Sequence, residues 1–262
     1  MKLARIFIFV MTFTVCASLT LASDWIPPEN PDPQLILNEA HSDARAKRYK
    51  IALAKHIWFH DNALKINPAM SGVRLSFALS YWKRLGQEYP PAMEKLRQIR
   101  DELSAKVDEG MDIGGGFHDL AAINRTLEED SNTTDAFKKL VVKNPEAAKR
   151  AFLFAKPALI KDKEYALYVK YVDAKKDYLD MKQMYEMNKR MAKDPKFGSQ
   201  MLDHATKSFR NSTATLVAVL SVNDRKIEAS EIATLAKKEL EDAKFHEELE
   251  VALAGTVPQP WP

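Results

Sequence analysis

His56 and His60 stand four residues apart, a spacing that on a helix puts both imidazoles on one face and that metal sites use. Zinc-protease chemistry also needs a glutamate directly after the first histidine as general base, and that position is Ile57. A third ligand would have to come from His41, His118 or Asp61. Trp58 and Phe59 between the histidines support the competing reading, a partly buried helix whose imidazoles hydrogen-bond within the fold or line a groove. Nucleophilic chemistry has no comparable signal: Ser71, Ser76 and Ser80 lack the glycine-flanked turn that exposes a catalytic serine. No catalytic residue and no cofactor are expected.

A second set of candidates is a run of tyrosines and methionines. Tyr165, Tyr168, Tyr171, Tyr178 and Tyr185 recur with Met181, Met184, Met187 and Met191 in steps that mark one face over 164–193, a stretch that reads as one long helix or two nearly collinear ones. Core packing explains such a stripe, and an adaptable methionine-rich groove is the sharper alternative. Haem or copper held through methionine sulfur is the weakest reading of the same residues. Lysines at 161, 163, 170, 175, 176, 182, 189, 193 and 196 share the region, so contact with an anionic membrane surface is a further expectation. No nucleic-acid module accompanies this charge.

These residues must be positioned by helices, because apolar and small residues recur at helical spacing almost throughout. Asn67-Pro68 and Asn144-Pro145 read as an N-cap followed by proline at the first helical position. Helices are expected near 34–48, 50–66, 69–85 and 91–108, then 117–129, a helix capped within 131–134, 200–221, 226–240 and 242–254. Pro157 should kink or divide the helix that contains it. The segment Gly110 to Gly116 is the only glycine-rich stretch and the expected boundary between two helical halves. A phosphate loop would end in Gly-Lys-Ser/Thr, whereas Phe117 and His118 follow here.

The stretches Tyr49-Lys50-Ile51-Ala52-Leu53 and Ala63-Leu64-Lys65-Ile66-Asn67-Pro68 resemble the second helix and closing proline of a tetratricopeptide repeat. Weaker copies begin at Gly86 with Tyr89 and Ala92, at Lys161 to Ala166, and at Asn223 to Ala229, where Ala229 and Ala236 keep the family's spacing of seven. The resemblance implies stacked helical hairpins with a concave face that binds peptides or proteins.

Composition sets the remaining bounds. With 262 residues and 46% hydrophobic content the chain can bury a sizeable core. Lys2 and Arg5, an apolar run from Ile6 to Leu21, and small residues at 20–22 read as a secretory signal with cleavage after Ala22, Ser23 being the runner-up. Cys16, the only cysteine, lies inside that leader, so the mature chain has no disulfide or thiol chemistry, and a bacterial periplasmic or secreted protein is expected. Residues 138–196 hold 16 basic and 8 acidic side chains, a basic middle between mildly acidic ends.

The sequence therefore predicts an all-α protein, a solenoid of helical hairpins like tetratricopeptide repeats. Its parts are a signal peptide (1–22), an extended lead-in (23–33), two helical lobes (34–113 and 114–256) and a proline-rich tail (257–262). The expected function is non-catalytic capture of a protein or peptide in the periplasm or outside the cell. Its groove would be lined by His56, Trp58, His60, Arg74, Trp82, Tyr168 and Tyr171, since aromatic and arginine side chains anchor most interfaces. The alternatives are a metal-binding protein or helical metalloenzyme using His56 and His60, and a structural envelope protein resting its basic middle on an anionic surface. No nucleic-acid partner and no transmembrane segment in the mature chain are expected.

Overall fold

The computed structural model describes residues 25–111, 115–194 and 198–260. The leader with Ala22 and Ser23, Gly114, the stop at Pro195, and the terminal Trp261-Pro262 lie outside these residues. The chain is 81% helix with no strand among the described residues, which makes it all-α. It divides into two compact units, one ending at Arg74 and the next beginning at Leu75.

The first unit is a helix pair, α1 (Pro33–Arg45) and α2 (Tyr49–Ile66), followed by a 3₁₀ turn (Pro68–Met70) and a short α3 (Ser71–Arg74). Asp32 starts α1 by accepting hydrogen bonds from the Gln34 and Leu35 amides at 2.7 and 3.2 Å, with Pro33 in the first turn where no N–H is missed. Lys47 turns the chain with φ +60°. Ile36, Leu37 and Ala40 of α1 and Ala52, Leu53, Phe59 and Ala63 of α2 are buried where the two helices pack. A polar clasp accompanies this apolar seam. Lys55 Nζ lies 2.9 Å from Asp43 and 2.7 Å from Glu39, and Arg48 Nε donates to Asp43 at 2.8 Å. Burial alone would push the Asp43 carboxyl up, but the bonds from Lys55 and Arg48 outweigh it and hold the group below the usual carboxylate range.

The second unit runs through α4 (Phe77–Glu88), α5 (Pro90–Asp108), α6 (Gly116–Leu127), α7 (Asp130–Lys143), α8 (Pro145–Lys161) and α9 (Tyr165–Tyr168). A 3₁₀ turn (Val169–Tyr171) then leads to α10 (Ala174–Met191), α11 (Gly198–Val222), α12 (Lys226–Glu239) and α13 (Ala243–Leu253). Asn144 caps α8 as its sequence implies, accepting from the Ala147 amide at 3.0 Å. α11 is the centre of the C-terminal part. Its residues Leu216 to Leu220 are all completely buried, because α10, α12 and α13 each pack on it.

Five expectations are corrected or narrowed. The glycine segment does not separate two cores, since Val107 before it and Phe117 after it belong to one hydrophobic cluster and α5 packs on both α6 and α7. The single helix expected over 69–85 is a 3₁₀ turn, α3 and α4 in succession, broken at Ser76 with φ −130° and ψ −90°. α7 starts at Asp130 with no side-chain cap; Thr133, expected at its cap, is buried and accepts from Asn124 Nδ2 at 3.0 Å. Pro157 lies inside an unbroken α8. The carbonyl it leaves without a helical donor belongs to Leu153, which at 65% exposure lies on a face open to water.

Of the two readings of 164–193, successive helices rather than a single one are what form, α9 and α10 with the 3₁₀ turn between them. Val172 is extended, and Asp173 caps α10 by accepting from the Lys176 amide at 3.0 Å. Arg225 fills the break from across the fold, its Nη1 donating to the carbonyls of Val169 and Val172 at 3.2 and 3.1 Å, while Glu228 holds the other edge of the guanidinium at 2.6 Å. Arg225→Met should therefore cost about 1–3 kcal/mol, the range for losing charge-assisted hydrogen bonds to partly buried partners. Urea unfolding measures this, with exposed Lys238→Met expected within about 0.5 kcal/mol of the parent as the control. Equal midpoints for the two variants would show that Arg225 does not hold the break.

Candidate functional site

α2 presents His56 and His60 one turn apart, as their spacing requires, but each imidazole has a role in packing. His56 is 1% exposed, and burial, reinforced by the nearby His41, pushes its pKa down to about 3. It is a neutral core histidine. The backbone oxygen of His60 accepts from Arg74 Nε at 2.7 Å, and its Nε2 lies 3.2 Å from Arg74 Nη2. A guanidinium has only donors to offer, so Nε2 acts as the acceptor and already faces a fixed positive charge. Asp61 is exposed, and His118 belongs to the second unit, stacked on Phe154 at 3.9 Å between ring centres. Among the described residues, no group of three or more His, Cys, Asp or Glu is placed to hold a metal ion.

The residues expected to line one groove are distributed between the two units. Trp58 is half-buried and meets the edge of Trp25 at 6.3 Å; Arg74 is buried against His60. In the second unit Trp82 is 1% exposed, its indole N–H donating to the Ala92 carbonyl at 2.8 Å. It is a core residue joining α4 to α5 rather than an interface anchor. Tyr168 is also core, packed edge-on to Phe152 at 5.2 Å, and burial pushes its hydroxyl pKa up. Tyr171 is partly exposed beside Phe137 and Phe152. Of the expected anchors, only Trp58 and Tyr171 keep appreciable access to solvent.

The tyrosine and methionine stripe is not one face. Tyr178 and Tyr185 point inward and are buried, whereas Met184, Met187 and Met191 lie on the opposite side of α10 and are exposed. Met181 stays with the tyrosines, packed on the hydrophobic cluster, and the break at Val172 puts Tyr165, Tyr168 and Tyr171 on other elements than α10.

The basic middle is drawn into ion pairs. Lys161 pairs with Asp130 and Lys139 with Asp108, both at 2.6 Å, and Lys182 pairs with Glu239; these acids come from the acidic flanks. Lys176 and Lys189 pair within α10 with Asp180 and Glu186. The charge imbalance along the sequence is compensated where neighbouring helices meet.

One feature has no counterpart in the sequence reading. α11 and α13 form a cleft of about 630 Å³, lined from α11 by Lys207, Arg210, Asn211 and Ala214 and from α13 by Lys244, Glu248 and Val251. Both helices contribute side chains at the same i, i+3 or i+4, i+7 spacing, the pattern by which a helix lines one side of a groove. Arg210 bridges the pair, donating to Glu248 at 2.7 and 3.1 Å and lying 3.3 Å from Asp242. Thr256 and Pro258 of the tail complete the wall. The matched spacing of 207–214 and 244–251 is visible in the sequence, but only once the two helices are known to be neighbours.

No protein-family model matches this chain, and comparison with curated proteins and with solved structures likewise finds no match.

The burial of His56 has a measurable consequence. Its folded pKa of about 3 lies below the ordinary 6.5, so between those values the unfolded chain binds a proton that the folded chain does not. Stability is full above 6.5 and falls on acidification towards 3 by about 1.4 kcal/mol per pH unit from this group. Urea midpoints taken across that window should decline less steeply in His56→Leu than in the parent; identical slopes would mean that His56 is protonated in the fold.

Proposed function

We propose that this chain is an exported, non-catalytic interaction protein of the helical-repeat type, which holds a protein or peptide partner in the periplasm or outside the cell in the manner of tetratricopeptide-like solenoids. The observation that carries the reading is the order of packing in the second unit. The helix pairs that pack extensively are next to one another or next but one along the chain. Such quasi-one-dimensional packing is what a stack of hairpins requires, and it leaves grooves between successive helices open to partners.

Supporting detail comes from the small residues. Ala229 and Ala236 in α12, at the family's spacing of seven, are completely buried, which supports reading them as positions where paired helices approach closely; Ala52 and Ala63 in α2 are buried too, at a wider spacing. The groups whose proton affinity is shifted furthest, His56, Tyr168 and Tyr178, are shifted chiefly by burial. Such shifts belong to packing rather than to an acid and base converging on a substrate. Among the described residues no helix is long and apolar enough to cross a membrane.

Crosslinking of the chain beginning at Ser23 in a native envelope preparation, with metal content measured on the same purified sample, tests the reading. A specific protein crosslinked through the faces between helices is the expected result, with metal well below one equivalent. Stoichiometric metal and no crosslinked protein would overturn the proposal in favour of His56 and His60 as ligands.

A further inference from the structure

A peptide segment, the chain's own tail, lies along the cleft between α11 and α13 as one of its walls. Gly255, at φ +93°, reverses the chain after α13, and a Cβ there would come within 3.1 Å of Val222 at the end of α11. From this turn the tail runs back along the helix pair. The Thr256 amide donates to the Val251 carbonyl at 3.2 Å, and Val257 packs on the hydrophobic cluster. Pro258 forms part of the cleft wall, and the Gln259 carbonyl accepts from Asn211 Nδ2 at 2.8 Å.

This is recognition of backbone and ring rather than of a side-chain code. One apolar side chain is sunk inward, a proline ring lies against the wall, and a side-chain amide holds a carbonyl. The Gln259 side chain itself is exposed. Prolines at 258 and 260 bring no N–H that would need a partner, and they hold the segment extended before it binds, which lowers the ordering cost. The seat continues past the described tail, for Lys207 and Lys244 stand one turn beyond Asn211 and Glu248 and line the same cleft. Arg210, tied to Glu248 and Asp242, fixes the spacing of the two walls.

We propose that the α11–α13 groove is a binding site for an extended, uncharged, proline-containing peptide, and that residues 256–260 are its resident intramolecular ligand. A partner segment of the same chemistry enters by displacing the tail. The inference rests on reading the chain as an interaction protein and specifies one of its surfaces. A partner crosslinked elsewhere on the chain would leave that broader reading standing while this one failed.

The test uses a fluorescent synthetic peptide, Thr-Val-Pro-Gln-Pro-Trp-Pro, titrated by anisotropy into the full chain and into a full-length Pro258→Gly, Pro260→Gly variant whose tail is loosened. The variant should bind about tenfold more tightly, because a tethered segment competes at an effective concentration on the order of millimolar. Adding Asn211→Ala to that variant should weaken binding about fivefold, the effect of one lost hydrogen bond. Equal binding by parent and variant, or binding indifferent to Asn211, would overturn the proposal. Should the glycine variant lose its helical circular dichroism, amide exchange in the parent decides instead. Saturating peptide should speed exchange at Thr256, the tail amide that is held to the Val251 carbonyl, and unchanged exchange there would overturn the site.

Discussion

All-round burial of the second half of α11, from Thr213 to Ser221, is the constraint on which the C-terminal part of the molecule depends. A helix that is apolar around its whole circumference cannot be satisfied by one neighbour, and the completely buried run from Leu216 to Leu220 is covered by α10, α12 and α13 together. Those three helices are therefore fixed by a common axis. Each in turn carries its own seam of small or aromatic residues: Tyr185 lies flat against Phe209 at 4.8 Å, and Ala229 and Ala236 allow α12 to come close. The groove between α11 and α13 follows from the same geometry, because two helices packed on a shared seam leave a furrow on their outer side.

Polar groups complete what the apolar seams leave open. At the break between α9 and α10 the carbonyl of Val169, which the Val172 amide reaches at 3.3 Å, and the carbonyl of Val172 are both answered by Arg225, which precedes α12. Arg210 ties α11 to α13, and Lys55 with Asp43 ties α1 to α2. These are the positions at which a helix pair must be held at one spacing, and each uses a partly or fully buried cation with two carboxylate or carbonyl partners. Exposed lysine pairs elsewhere contribute little individually, but three of them bring acids of the flanks onto the basic middle, at Asp108, Asp130 and Glu239.

Helices and their capped boundaries were legible in the sequence because their signals are local. Asn67-Pro68 and Asn144-Pro145 specify a start whatever surrounds them, and Asn67 and Asn144 do accept from the next turn. The breaks were not legible where a distant residue decides them. Nothing near Val172 says that the helix must stop; Asp173 offers a cap, and Arg225, more than fifty residues away in sequence, makes the interruption affordable. Pro157 is the opposite case: it does not divide α8, since an exposed face lets water take the role of the lost amide.

The same distinction between local and distant information accounts for the candidate site. Spacing correctly placed His56 and His60 on one side of α2, but it is silent on whether that side faces solvent, a partner or α1, and the neighbours answered that it faces the core. Aromatic type was equally ambiguous: Trp82 and Tyr168 look like interface anchors because large rings dominate binding surfaces, yet they dominate cores for the same reason, a large apolar area with one polar atom to satisfy. Trp82 meets that demand inside the fold through Ala92. A groove, by contrast, is a property of segments brought together from separate parts of the sequence, so the matched spacings at 207–214 and 244–251 acquire meaning only when α11 and α13 lie side by side with Thr256 and Pro258 completing the wall.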